Sequence, residues 1–395
     1  MEIPLVDGWE KLIPKPRVYP LGPADRKIVD DMFDKLHRHG KMAWTTKHIP
    51  IGFPVFVVHH KVTAPDRMTI EKTRPVVGIR GLNKASQLDI YPMRTQDEIV
   101  RMCQGARFIS VLDAKSFFYQ WRVKPEHRER LAVISHRGQE YFKVAIMGYC
   151  NSVAYVQREM DLILKNFFQW CRTYLDAIVV CSTTFDDHLS HLHRLFRRLQ
   201  DYGIRLEPNK AYIGFPEVAL LGQRVDALGL STPKEKLKAI FDLQFPDTLK
   251  KLETYIGMTG DLRHVIPNYA QKVEPLQQRK TLLLKGGPLA GRTRQQWAQK
   301  TRLTSPTDTE INAFKCLQDN FRTEAKVLVH WANDRQAYVD IDASQHTGFG
   351  VAIYHVKRSY NHKDLAKPPP AAMTEPIMIL SRLLTAAEKT TGRRS

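Results

Sequence analysis

Thr173-Tyr-Leu-Asp-Ala-Ile-Val-Val-Cys181 is an apolar β run interrupted by a single carboxylate, Asp176. Burying an unpaired carboxylate is costly, so a strand tip keeps one only where something cationic meets it. A similar place lies 63 residues earlier, where the apolar strand Phe108-Ile-Ser-Val-Leu-Asp113 ends on an acid. Between the two, Val153, Val156, Met160, Ile163, Leu164 and Phe167 recur at helical spacing and predict an amphipathic helix over residues 151–168. Two strand-end acids joined through a helix can converge on one metal pair. Mg²⁺ ions roughly 4 Å apart need bridging carboxylates, because hard cations take oxygen ligands and nucleotidyl transfer requires a clamp on both attacking and leaving oxygens. Spacing alone fits two ordinary turn aspartates at least as well, since Asp is common in turns.

Upstream, residues 53–58 and 74–80 read as the arms of a hairpin joined by a basic, polar loop over residues 59–73. A short helix is expected over 95–103. The first 27 residues, with Pro14, Pro16, Pro20 and Pro23, read as an extended arm, and a helix follows over 27–39. Downstream, Leu189, Leu192, Leu195, Phe196 and Leu199 predict the apolar face of a helix capped by Asp186 or Asp187 and ended by Gly203. Residues 232–280 read as helical with breaks at Pro246, Pro267 and Pro275, and 285–306 as a linker. A helix over 310–321 precedes a strand pair, 336–342 and 349–356, that opens a further domain.

The composition suits two or three domains: 395 residues, 43% of them hydrophobic, can bury a sizeable core. Lys and Arg number 60 against 41 Asp and Glu, a net charge of +19 that favours a polyanionic partner, with nucleic acid the first expectation. Five cysteines without a C-x-x-C spacing indicate neither a disulfide framework nor a zinc ribbon, and point to a reducing compartment. No segment approaches the roughly 20 apolar residues needed to cross a bilayer, so no membrane partner is expected. His188, His191 and His193 are read as the polar face of a helix and not as a zinc site, which needs three or four converging ligands.

Several motifs, in order and spacing, resemble those of gypsy-type LTR retrotransposon reverse transcriptases: Arg74-Pro-Val-Val-Gly-Ile-Arg-Gly-Leu-Asn-Lys84, Val111-Leu-Asp-Ala114, Gly148-Tyr-Cys-Asn-Ser152, Tyr155-Val-Gln157 and Tyr174-Leu-Asp-Ala177. The resemblance continues through Leu220-Leu-Gly-Gln-Arg-Val225 and Leu252-Glu-Thr-Tyr-Ile-Gly-Met258, and resumes at Asp342-Ala-Ser344. It implies an α+β, right-hand polymerase of fingers, ferredoxin-like palm and thumb, followed by a partial RNase H-like domain. The implied divisions are an arm and helix over 1–48, fingers and palm over 49–230, a thumb-like region and linker over 231–305, and the RNase H-like part over 306–395. Asp113 and Asp176 would then bind Mg²⁺. Arg74 would grip the triphosphate of an incoming deoxynucleotide, with Arg67 or Lys72 assisting. Phe118 would be the steric gate against a ribose 2′-hydroxyl, although either it or Phe117 also suits a core aromatic. Gly148 and Gln157 would support template and nascent pair, and Leu221, Gly222 and Gln223 the primer end. The implied partners are an RNA template, a DNA primer, the RNA–DNA hybrid and dNTP, with other parts of a Gag-Pol polyprotein.

Two departures stand out. Ala177 occupies the place of the family's second adjacent aspartate, and Gly78 that of another. Both predict an impaired polymerase, with a catalytically inactive nucleic-acid-binding protein as the rival reading. In the RNase H-like part Asp342 would be the first metal ligand. Glu388 resembles only the segment before the second, so no RNase H activity is expected, because one carboxylate cannot hold two metals.

Overall fold

The computed structural model describes residues 1–63, 69–220, 223–227, 229–232, 234–321, 327–343, 348–360, 368–385 and 388. Its contacts divide the chain into two units, Met1–Met102 with Phe108–Phe215, and Cys103–Arg107 with Pro216–Ser395.

In the first unit, strands Phe108–Asp113 and Ala177–Ser182 pair antiparallel at the centre of a four-stranded sheet, flanked by Cys171–Tyr174 and Tyr212–Phe215. The apolar run of the sequence therefore splits at its carboxylate. Tyr174 faces Ala177, leaving Leu175 and Asp176 as a two-residue turn. Residues 178–182 are all buried, which is why they read as a continuous apolar run instead of alternating.

Helix Ser152–Leu164 buries Val156, Met160, Ile163 and Leu164, as its spacing predicts. The next helix, Phe185–Asp201, corrects the sequence reading. Its buried stripe is His188, Leu192, Leu195 and Leu199, whereas Leu189 and Phe196 are exposed. A count of apolar residues misplaces the face because a histidine fills its first inward position. That imidazole is satisfied by Ser110 Oγ at 2.7 Å and Ser182 Oγ at 2.9 Å. The cap is Thr184, whose hydroxyl accepts from the Asp187 N–H at 3.2 Å, and neither Asp186 nor Asp187 serves as cap residue.

Strands Phe53–Thr63 and Thr69–Val77 form the expected hairpin, and their pairing extends into the stretch read as loop. The hairpin joins a five-stranded sheet through the parallel contact of Phe53 and Pro54 with Val133 and Ile134.

In the second unit, strands Glu217–Leu220, Gln223–Asp226 and Gly229–Ser231 are completed by Val327–Val329. The described residues of 217–230, grouped by sequence with the palm, thus pack with the C-terminal part of the chain. Helices Leu249–Asp261, Tyr269–Leu284 and Asp308–Asp319 share a core that includes Leu252, Tyr255, Leu276, Phe314 and Leu317. Pro275 lies inside a helix and does not break it. It stands in the second turn, where the lost hydrogen bond would have gone to a residue near the helix start. The stretch read as a linker contains helix Gly291–Lys300, fixed by the Arg294–Glu253 ion pair. Its polar composition hid it, since a single buried side chain, Ala298, anchors it. Strands Ala337–Ala343, Gly348–Val356 and Thr374–Leu383 form an antiparallel three-stranded sheet.

Candidate active site

Sheet register brings the two carboxylates together. Asp113 closes its strand directly opposite Ala177, and the Ala114 N–H donates to the Asp176 carbonyl at 2.8 Å. The strand end carrying one acid is thereby stitched to the turn carrying the other. Leu175, at the first position of that turn, has φ +56°, a conformation that a bulky side chain rarely adopts. Tight two-residue hairpin loops demand it.

Gln157 holds the strained turn. It is buried, and its Oε1 accepts from the Leu175 N–H at 3.1 Å. Its Nε2 lies 3.2 Å from the Thr173 carbonyl, 3.1 Å from Thr173 Oγ1 and 3.2 Å from Asp161 Oδ1. One helical amide therefore satisfies backbone on the incoming strand and at the first turn residue, and such a network can sustain the roughly 1–3 kcal/mol that a residue in this region stores.

Asp113 is half-buried, and Lys210 Nζ lies 3.2 and 3.1 Å from its two carboxylate oxygens. The Asp113 carbonyl accepts from the Glu207 N–H at 2.8 Å, which ties the loop bearing Lys210 to the strand end. The sequence reading missed Lys210. It is 97 residues from its partner, and nothing in Pro208-Asn-Lys210 marks it.

A cavity of about 1250 Å³ within the first unit is lined by Asp113, Asp176, Lys210, Arg74, Phe118 and Gly148, among others. Both aromatics line it, Phe118 half-buried and Phe117 buried in the core. Gly148 has φ +94°, and its carbonyl accepts from Asn83 Nδ2 at 2.8 Å. Gly78 also lines the cavity, where a Cβ would stand 3.1 Å from the Pro54 ring.

Of the other candidates, none is among the described residues that line this cavity. Lys72 is exposed on its strand and does not line the cavity, and Gln157 faces the turn instead. Gln223 belongs to the second unit, with Nε2 3.4 Å from His264 Nε2. Arg67, Leu221 and Gly222 lie outside the described residues. Asp342 is exposed in the second unit and accepts from Asn268 Nδ2 at 2.9 Å. Glu388 accepts from the Thr385 N–H at 2.8 Å and pairs with Arg382.

Among the described residues no cluster of three or more His, Cys, Asp or Glu is placed to hold a metal. The donors at the cavity are two carboxylates, oxygen ligands of the kind a hard cation such as Mg²⁺ takes, so the set fits in kind while being thin in number. No helix among the described residues is long and apolar enough to cross a membrane.

Residues 60–225 match the family described as "Reverse transcriptase (RNA-dependent DNA polymerase)". Over 260 residues the chain is 29% identical to the Retrovirus-related Pol polyprotein from transposon 297 of Drosophila melanogaster, covering 65% of this chain and 24% of that one. It is 30% identical over 278 residues to the Enzymatic polyprotein of Cauliflower mosaic virus (strain Strasbourg), covering 70% and 40%. The chain thus spans well under half the length of these relatives. Its fold is similar to that of the foamy viral protease-reverse transcriptase solved with an RNA/DNA hybrid, with a TM-score of 0.73, 20% identity, and coverage of 95% of this chain and 45% of that chain. Against the form solved with double-stranded DNA and described as dRH, the TM-score is 0.75, with 20% identity and coverage of 95% and 58%.

Proposed function

We propose, on the premise that residues 60–225 belong to the reverse transcriptase family and that the chain is the reverse transcriptase part of a retrotransposon Pol protein, that it is an RNA-directed DNA polymerase. It would extend a DNA primer on an RNA template. The observation that carries this reading is the meeting of Asp113 and Asp176 at one cavity through sheet register and a braced turn.

In this reading the primer 3′-hydroxyl attacks the α-phosphate of a dNTP in line, and pyrophosphate leaves. Arg74, exposed at the cavity and in no ion pair among the described residues, is available to grip the triphosphate. The Phe118 ring, which lines the same cavity, would be the group that excludes a 2′-hydroxyl. Asp113 and Asp176 are the residues that would hold Mg²⁺, which when bound supplies positive charge against the triphosphate and the reacting oxygens. Lys210 neutralises Asp113 meanwhile. The RNA–DNA hybrid is then the product-side partner, and membership of a longer Gag-Pol polyprotein accords with the fraction of its relatives that the chain covers.

Ala177 weakens the site in this account. Its side chain points to the same sheet face as that of Asp113, because directly opposed residues of an antiparallel pair share a face with Cβ atoms about 5 Å apart. A carboxylate there would stand beside Asp113, and its absence leaves two acids and one lysine. The test is oligo-deoxythymidylate extension on poly-riboadenylate by the native chain and by Ala177→Asp. The variant is expected to be faster by about 10–100-fold. A variant no faster than the native chain removes this account of Ala177. If neither extends a primer that both bind, the chain is a polymerase-shaped binding module, the reading favoured by the Lys210–Asp113 pair.

A further inference from the structure

Among the described residues three that are not glycine have positive φ, and two of them flank the cavity acids. Leu175 directly precedes Asp176, and Ser116, at φ +49° and ψ +50°, follows Asp113 by three residues. A residue held in this region is strained and persists only where its surroundings over-determine it. Gln157 supplies that constraint at Leu175. A second glutamine closes the loop that holds Ser116.

Ser116 turns the chain out of the Asp113 strand into the 3-10 turn Phe117–Gln120, and both Ser116 and Phe118 line the cavity. Gln120, at the end of that turn, is half-buried and does not line it. Its Nε2 donates to the Lys115 carbonyl at 2.7 Å and to the Arg205 carbonyl at 3.0 Å, and its Oε1 accepts from the Arg205 N–H at 2.7 Å. The Lys115 N–H donates to the same Arg205 carbonyl at 2.9 Å. One amide therefore ties both ends of the loop from Lys115 to Gln120 together and fastens it to the segment that runs on to Lys210, the partner of Asp113. Phe118 lies within the closed loop. The Tyr119 N–H donating to the Ser116 carbonyl at 2.9 Å and the Trp121 N–H donating to the Phe118 carbonyl at 3.2 Å carry the constraint through the turn. The residue type suits the task, since an amide combines two N–H donors with a carbonyl acceptor, whereas a carboxylate lacks the donors and an ammonium the acceptor.

We propose that Gln120 is a positioning residue for sugar selection. By bracing the left-handed turn at Ser116 it holds the Phe118 ring at the depth where a ribose 2′-hydroxyl collides and a deoxyribose does not. The inference rests on the polymerase reading of the cavity, in which Phe118 is the gate. Gln120 itself touches no substrate and acts through the loop.

The test reads nucleotide binding and needs no turnover. The full chain with Mg²⁺ is given a labelled, dideoxy-terminated oligo-deoxythymidylate primer on poly-riboadenylate, and the concentration of dUTP or UTP that retains the primer against a heparin challenge is measured. The two nucleotides differ only in the 2′-hydroxyl. The native chain is expected to favour dUTP. Gln120→Met, which keeps the length of the side chain and loses its three hydrogen bonds, should lower that preference about tenfold, and Gln120→Glu, which loses both donors, about as much. A role in stability alone would weaken both nucleotides alike and leave their ratio unchanged. Phe118→Ala should remove the preference, and adding Gln120→Met to it should change the ratio no further, because the brace acts through that ring. A ratio unaltered in either Gln120 variant, a preference that survives Phe118→Ala, or a further fall in the double variant overturns the inference and leaves the polymerase reading standing. So does a native chain that holds dUTP no better than UTP. A native chain that binds primer and template but holds neither nucleotide overturns both.

Discussion

Asp113 and Asp342 each stand at or near the end of an apolar strand, and the molecule treats them differently. Asp113 lies on an interior strand whose neighbour turns back at Asp176, so a second carboxylate arrives at the same cavity and Lys210 arrives with it. Asp342 lies on the outer strand of a three-stranded sheet, with Val339 and Ile341 beside it largely exposed. It faces Gly350, and the space a side chain would fill at that glycine is taken by Asn268, whose amide also binds the Asp342 carboxylate. Strand pairing thus sets a glycine and not an acid opposite it. A strand-end aspartate becomes part of a site when strand pairing delivers a partner acid. Without that it serves as a surface contact.

The sharpest break between the two positions is expected in activity. Asp113→Asn should lower primer extension by about a thousandfold, roughly 4 kcal/mol of barrier, while Asp342→Asn leaves it unchanged. Comparable losses at both positions would erase the distinction. A smaller effect is expected one layer behind the site. Gln157→Leu leaves the Leu175 N–H without its acceptor and should cost about 1–3 kcal/mol in urea unfolding, with a further loss of extension rate because the turn bearing Asp176 relaxes. An unchanged midpoint would mean that the turn holds itself.

The smallest effect concerns the strand that carries Asp113. His188, bonded to Ser110 on that strand, is held below its ordinary pKa by burial, and His191 shifts the same way for the same reason. The unfolded chain takes up a proton near pH 6.5 that the folded chain refuses. Stability is therefore complete above about pH 6.5 and is lost as pH falls below it, levelling off beneath the folded-state pKa. Melting temperature should drop between pH 7 and pH 5.5, and less steeply in His188→Gln. An identical slope in the variant would assign the dependence to other groups.

Much of the first unit was legible because its signals are local. Strand–acid ends, the helical stripe of Val156 and Met160, and the ordered motifs all lie in short windows, and the interior strand 178–182 announces itself by being apolar throughout. What failed locally failed for identifiable reasons. His188 hid the true face of its helix because a buried polar side chain looks like a surface one until its hydrogen-bond partners are known. The helix Gly291–Lys300 hid in polar composition, because its hold on the unit rests on Ala298 and the Arg294–Glu253 pair.

By itself the sequence determined which residues are the candidates for the chemistry: two aspartates at apolar strand ends, an alanine after the second, and an arginine in a strand. Only the tertiary structure decided which of them meet. Lys210 reaches Asp113 across 97 residues, Phe117 is buried in the core where Phe118 is only half-buried, and the arm passes over Gly81 to line the cavity. The reason is physical: residue type and spacing are properties of the chain, whereas proximity between distant side chains depends on strand register and loop course, which no local window contains.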